Sequence, residues 1–222
     1  MTRGDVLSLA VSGLRGTGRT SLYQQLELVL PKDEFLRGCE FAFLGNPFGH
    51  LPHPLQWDGN HKRFGLSRLF ECWSMLNDFT NDRWLPALRA GKIPVMDSCG
   101  LDAVLYATAG IGCRNEDDEV MSWHRELVQK RLVKQGVNPP FYLMTRADQD
   151  TVISFLVKLM PDLARADART FIDKERHIIS EYFKEDGGQH QPHYLESAMS
   201  QRDMVTDSVA FIRRRVQMRL AA

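Results

Sequence analysis

Val6-Leu7-Ser8-Leu9-Ala10-Val11 is short, mostly apolar and runs into a glycine cluster, the pattern of a buried strand ending in a loop. Beyond the cluster Leu22, Leu26 and Leu30 recur at helical spacing until Pro31, whose ring cannot continue the ladder of hydrogen bonds. Cys39 to Leu44 predicts a second strand, and the Gly-, Pro- and His-rich stretch from Gly45 to Gly65 predicts a long loop of the kind that often carries function. From Leu66 to Ala90 the residues Leu69, Phe70, Trp73, Leu76, Phe79, Trp84 and Leu88 form a helical stripe, with Gly91 as its terminator. A third strand follows at Ile93 to Asp97, then helices over Leu101 to Ala109 and Glu116 to Lys134, and a fourth strand at Phe141 to Met144. Thr151 to Met160, Asp167 to Phe183 and Met204 to Leu220 are amphipathic, and Gly187, Gly188, Gln189 and Gln191 form a polar break before the last of them. Strands separated by helices in this way predict a three-layer α/β/α fold around a central parallel sheet, expected as a single domain over residues 1–222.

Composition changes this picture little. Lys plus Arg balances Asp plus Glu at 28 each, so there is no overall basic field to hold a nucleic-acid backbone or an acidic membrane. No apolar run reaches the roughly 20 residues that span a bilayer, Asp5 stands where a signal peptide would be apolar, and the expected location is the cytoplasm. Cys39, Cys72, Cys99 and Cys113 lack the close spacing of zinc or redox pairs and read as free thiols.

Gly13-Leu14-Arg15-Gly16-Thr17-Gly18-Arg19-Thr20 fits the phosphate-loop spacing, between a predicted strand and a predicted helix, with Ser21 next in the first turn. Glycines let main-chain N–H groups turn inward around a phosphate, and the helix start adds partial positive charge. Thr20 is placed to ligate Mg²⁺, and Arg19 to neutralise the β- and γ-phosphates of ATP or GTP. Arg19 stands where the motif has Lys, and a planar fork needs more room than a compact ammonium.

The order of stations resembles the thymidylate kinase family and its nucleoside-kinase relatives. After the P-loop come Asn46-Pro47-Phe48-Gly49 where the family has Glu-Pro-Gly-Gly, Leu85 to Gly91 like its Pro-Ala-Leu-x-x-Gly, and Pro94 to Asp97 like the strand before its Asp-Arg-Tyr. Tyr106, Pro140 to Leu143, and Arg165 to Tyr182 fall where the family has a tyrosine turn, the next strand, and an arginine-bearing lid with its helix. The resemblance implies a P-loop kinase fold with a short helical lid at about 160–175, an acceptor-side loop at about 45–65, ATP and Mg²⁺ as cofactors, and dimerisation through the long helices. It also implies catalytic or metal-binding roles for Asp97, Arg165 and Arg169. The acceptor side departs from the family pattern. Ser98 and Gly45 replace arginines, Leu76 and Asn77 fall where another is expected, and Arg15 replaces an aspartate, bringing a cation toward the acceptor or the γ-phosphate.

Other residues carry two readings each. Asp97 is either a Mg²⁺ ligand or acceptor-side base, or the cap of the helix that follows; Asp102 reads as a solvated first-turn residue. Arg165 and Arg169 are either lid cations or part of a solvated helix face, and Arg176 reads as structural. His50, His53 and His61 are too thin a set for a metal site; Trp57 and Phe64 are candidates for stacking in the loop, while Phe70 and Trp73 suit a core stripe. The expected function is therefore phosphoryl transfer from ATP to a nucleotide, nucleoside or other hydroxyl acceptor. The alternative is a nucleotide-binding protein that has lost transfer and keeps a regulatory or structural role.

Overall fold

The computed structural model of the chain describes residues 7–14, 16–49, 51, 66–108, 117–124, 126, 130–184 and 191–220. Five strands, β1 (Leu9–Gly13), β2 (Phe41–Gly45), β3 (Ile93–Asp97), β4 (Phe141–Arg146) and β5 (His193–Glu196), form one sheet in the order β2-β3-β1-β4-β5. Every neighbouring pair is parallel: Leu9 lies beside Val95 on one side and Phe141 on the other. The helices are α1 (Arg19–Val29), α2 (Leu66–Phe79), α3 (Leu85–Arg89), α4 (Gly100–Thr108), α5 (Asp117–His124), α6 (Lys130–Lys134), α7 (Gln149–Leu159), α8 (Arg165–Lys184) and α9 (Gln201–Leu220).

Alternation along the strands divides the core into two layers. Ala10, Met96, Tyr142 and Met144 point toward α2, α4, α7 and α8, while Leu9, Val11, Ile93, Val95 and Leu143 point toward α1 and α9. The helical stripe of α1 buries Leu22 and Leu26 completely in the second layer. The parallel sheet flanked by helices is the three-layer α/β/α architecture that the strand and helix pattern predicts.

Several expectations are corrected. A fifth strand occupies His193 to Glu196, beyond the polar break. Of the predicted 116–134 helix, α5 and α6 are seen, and residues 125 and 127–129 between them lie outside the described residues. The 66–90 helix is interrupted by one π turn at Thr80–Trp84, immediately before Pro86 at the start of α3. Proline has no N–H to give, and its ring crowds the carbonyl one turn earlier, so the wider turn accommodates it. Thr80 donates its hydroxyl to the Leu76 carbonyl at 2.6 Å, and Trp84, fully buried, donates Nε1–H to Ser8 Oγ at 3.0 Å.

Candidate functional site

β1 lies between β3 and β4; the connection leaving β1 runs to β2 at one edge and the connection leaving the adjacent β3 runs to β4 on the other side, so a crevice opens at the C-terminal ends of β1 and β3. The 13–20 loop occupies the end of β1. Gly13, Gly16 and Gly18 all have positive φ, at 134°, 78° and 86°. At Gly13 the reason is contact, since a Cβ there would lie 2.1 Å from the Thr145 carbonyl oxygen, and only glycine lets the loop lie down on β4. Thr17, 2% exposed, pins the loop from inside: its hydroxyl lies 2.5 Å from the Leu14 carbonyl, to which it donates, and 2.7 Å from Thr145 Oγ1.

Gly18 caps α1 in the left-handed region and, having no side chain, makes no side-chain cap hydrogen bond. Among the described residues no side-chain hydrogen bond to the first-turn amides of α1 is seen. Thr20 and Ser21 are exposed there, and Thr20 donates its hydroxyl to Asp97 Oδ2 at 3.4 Å. A cavity of about 420 Å³ opens beside Gly16, Gly18, Arg19, Thr20 and Ser21, walled on its far side by Phe155 and Leu159 of α7. The Phe155 ring is seated on Gly16, where a Cβ would lie 2.2 Å from it. A larger cavity of about 640 Å³ shares Leu14 with the first and lies between the end of β4, α8 and β5, with Arg146, Arg176 and Tyr194 among its lining.

Arg19 is held on the inner side of the loop. Its Nη1 lies 2.7 Å from Asp102 Oδ1 and its Nε 3.2 Å from Asp97 Oδ1, and its side chain is 19% exposed. Burial works against the guanidinium charge, but the Asp102 and Asp97 carboxylates outweigh it and leave the pKa raised. Burial likewise pushes the Asp97 carboxyl upward, with Arg19 opposing that shift and Asp102 reinforcing it. Asp97 Oδ1 is buried and, despite the nearby Nε, has no aligned hydrogen bond among the described residues.

Asp102 corrects the reading of a solvated first-turn residue. It is 2% exposed, and its Oδ2 accepts from the Cys99 N–H and from Ser12 Oγ, each at 3.0 Å. The reach back from Asp102 to the amide three residues earlier is the carboxylate half of a capping box, so the capping role weighed for Asp97 falls to Asp102. Next to Asp97, Ser98 has φ 93° and is fully buried, its N–H extending the sheet ladder to the Val11 carbonyl at 3.0 Å.

On the acceptor side, Asn46 Oδ1 accepts from the Phe48 N–H at 2.8 Å, a tight turn that drives Phe48 into the core against Tyr106, ring centroids 5.7 Å apart. Tyr23 OH accepts from the Gly45 N–H at 2.8 Å, tying the end of β2 to α1. Leu76 is buried core, and Phe70 and Trp123 form an exposed aromatic pair. The segment expected as a lid is a link up to Ala164 followed by the first half of α8. Arg165 is exposed, and Arg169 pairs loosely with Asp150 of α7 at 3.4 Å. Arg176 donates to the Ala147 carbonyl at 2.9 Å, as a structural residue would.

Arg15, His50, His53, His61, Trp57 and Phe64 lie outside the described residues. Among the described residues no group of three or more His, Cys, Asp or Glu side chains could hold a metal ion, and no helix is long and apolar enough to cross a membrane.

No protein-family model matches the chain, and no curated protein matches it in sequence. Among solved structures it is similar to thymidylate kinase from Ehrlichia chaffeensis, with a TM-score of 0.59 and 13% identity over 94% of this chain and 99% of that one. The likeness is one of fold: a parallel sheet with helices on both faces is common to the two chains.

Proposed function

We propose that this chain binds ATP with Mg²⁺ on the 13–20 loop and acts as a phosphotransferase, passing the γ-phosphoryl group to a nucleotide, nucleoside or other hydroxyl acceptor. The observation that carries the reading is the uncapped start of α1 under Gly13, Gly16 and Gly18, with an open cavity beside it. Amides of the first turn of α1 are suited to polyphosphate oxygens, where the helix dipole adds to their attraction.

Thr20 and Asp97 are the residues that would hold Mg²⁺. They offer hard oxygen donors side by side, and Asp97 Oδ1 is a buried acceptor without an aligned hydrogen bond. Bound there, the ion would neutralise charge on the phosphate oxygens. Phe155 and Leu159 keep one wall of the cavity apolar, and the 640 Å³ cavity beyond Leu14 has room for the nucleoside of the donor. Arg15 and the first turns of α8, with Arg165 and Arg169, are assigned the charge that builds up on the transferring group. The last two would be brought to it by closure of the link before α8 and the helix's first turn, since Ala168, Phe171 and Ile172 anchor the helix beyond it in the core.

Calorimetry with ATP and Mg²⁺, followed by transfer from γ-labelled ATP to a panel of nucleosides and nucleoside monophosphates, tests the reading. Absence of triphosphate binding in the presence of magnesium would sink it. A second reading, nucleotide binding without transfer, is favoured by one specific observation: the guanidinium of Arg19 is engaged by Asp97 and Asp102. Binding with no labelled product from any acceptor would decide for that reading.

A further inference from the structure

Resting on the reading that the 13–20 loop takes a polyphosphate, we propose that Asp102 is a positioning residue: with Asp97 it clamps the Arg19 guanidinium away from the phosphate cradle and so sets how strongly the cradle attracts anions.

Asp102 is fixed from three elements at once. Ser12 Oγ of β1 and the Cys99 N–H ahead of α4 both donate to Oδ2, at 3.0 Å each, and Oδ1 is left to receive Arg19 Nη1 at 2.7 Å. With both oxygens occupied and 2% exposure, the carboxylate has no freedom to follow the guanidinium elsewhere. Asp97 Oδ1 lies 3.2 Å from Nε of the same side chain, an ion pair without an aligned hydrogen bond. A guanidinium can bridge two carboxylates in this way because its donors are spread over a rigid fork; an ammonium is a single point. The arginine in the lysine position of the loop and the buried aspartate are thus two halves of one arrangement.

The charges decide its effect. One cation stands against two carboxylates, and Tyr106 and Glu175 lie close enough to act on Arg19 in the same sense. The ground beside the cradle is therefore not positive, as an invariant phosphate-loop cation would make it, and a bare polyphosphate meets no free counter-charge from Arg19. Were the Arg19–Asp102 pair only structural, removing the carboxylate would change anion affinity by the same factor with Arg19 present or absent. A clamp predicts a gain that depends on Arg19.

The test is calorimetry of the full chain with sodium tripolyphosphate, without divalent ions and at fixed ionic strength. Asp102→Asn keeps the shape and drops the charge, and its affinity is expected to rise about tenfold, the scale of one additional charge-assisted hydrogen bond to the anion. Arg19→Lys, which leaves every carboxylate in place, is expected to bind more tightly as well, and it carries the test should Asp102→Asn fail to fold. Against an Arg19→Met background, Asp102→Asn is expected to give no gain.

Unchanged or weaker binding in folded Asp102→Asn, or in Arg19→Lys, overturns the clamp. So does a gain that persists in the Arg19→Met background, which would mean the carboxylate acts on the ligand directly. If wild type binds ATP with Mg²⁺ while the variants show no gain, the clamp alone falls; if no variant binds tripolyphosphate and wild type does not bind ATP with Mg²⁺, the cradle reading falls with it.

Discussion

Replacing Gly16 by alanine probes the seat of Phe155 on the phosphate loop. The backbone there has φ 78°, and the left-handed region strains an L side chain by about 1–2 kcal/mol. The added Cβ would also lie 2.2, 2.6 and 2.7 Å from Cδ1, Cγ and Cε1 of Phe155, so the ring must leave its seat. Phe155 is 41% exposed, so displacing it forfeits roughly half of what burying a phenylalanine contributes, or about 1–1.5 kcal/mol. The sum is about 2–3 kcal/mol, or roughly 4–12 °C in melting temperature for a chain of this size. In a Phe155→Ala background only the backbone strain remains, so the two substitutions should couple by about 1 kcal/mol. Urea unfolding of the four proteins, followed by circular dichroism, measures that coupling, and strict additivity would refute the packing. Gly13→Ala supplies a contrast. Its obstacle is the Thr145 backbone, which no side-chain truncation can relieve, whereas Gly18→Ala meets nothing nearer than Met204 Cε at 3.9 Å and should show backbone strain alone.

Other expectations follow from buried groups. Ser98→Gly relieves the φ of 93° and removes a buried hydroxyl without a hydrogen bond among the described residues, so urea unfolding should show a gain of about 1 kcal/mol after glycine's extra unfolded-state entropy is subtracted; a loss would contradict the strain. Burial pushes the Cys72 and Cys99 thiols up to about 12, so maleimide at about pH 8 should label the less buried Cys39 first and those two only in denaturant, as read by peptide mass spectrometry. Hydrogen bonds from Arg213, at 3.1 and 2.5 Å, hold the Asp33 carboxyl below the usual carboxylate range. A lowered folded-state pKa stabilises above the unfolded value and is lost as pH falls through the folded one, so the stability gap between wild type and Asp33→Asn should be full at neutral pH and close in acid. A gap that did not change with pH would refute that ion pair.

The strand, glycine loop and helix spanning β1 to α1 were legible because their determinants are local: an apolar strand, glycines at fixed offsets and a helical leucine stripe all lie within one stretch of chain. β5 was not, because His193, Tyr194 and Glu196 read as polar. Only Leu195 is fully buried in this edge strand, and His193 enters the core by stacking on Phe211, with ring centroids 4.6 Å apart, while pairing with Asp207 at 2.9 Å. The partner of Arg19 was missed for a different reason. Nothing near residue 19 announces a carboxylate from α4, although a guanidinium in the lysine position and a second aspartate one helical turn beyond Cys99 were both in view and could have been matched by charge. The seat of Phe155 on Gly16 was equally out of reach, since an aromatic on a predicted amphipathic helix says only that it has an inner face. The departures on the acceptor side were visible as residue types, but Phe48 entering the core beside Tyr106 required the turn made by Asn46.

The layer formed by α1 and α9 ties the beginning of the sequence to its far end. Leu22, Tyr23 and Leu26 of α1 share a cluster with Met204, Val209, Phe211, Ile212 and Val216 of α9. While the chain is being made, the helix that follows the 13–20 loop can pack on β1 and β3, but the part of its apolar side that α9 covers stays bare until residues near 216 have left the ribosome. Nascent chains shorter than that should be clients for a chaperone.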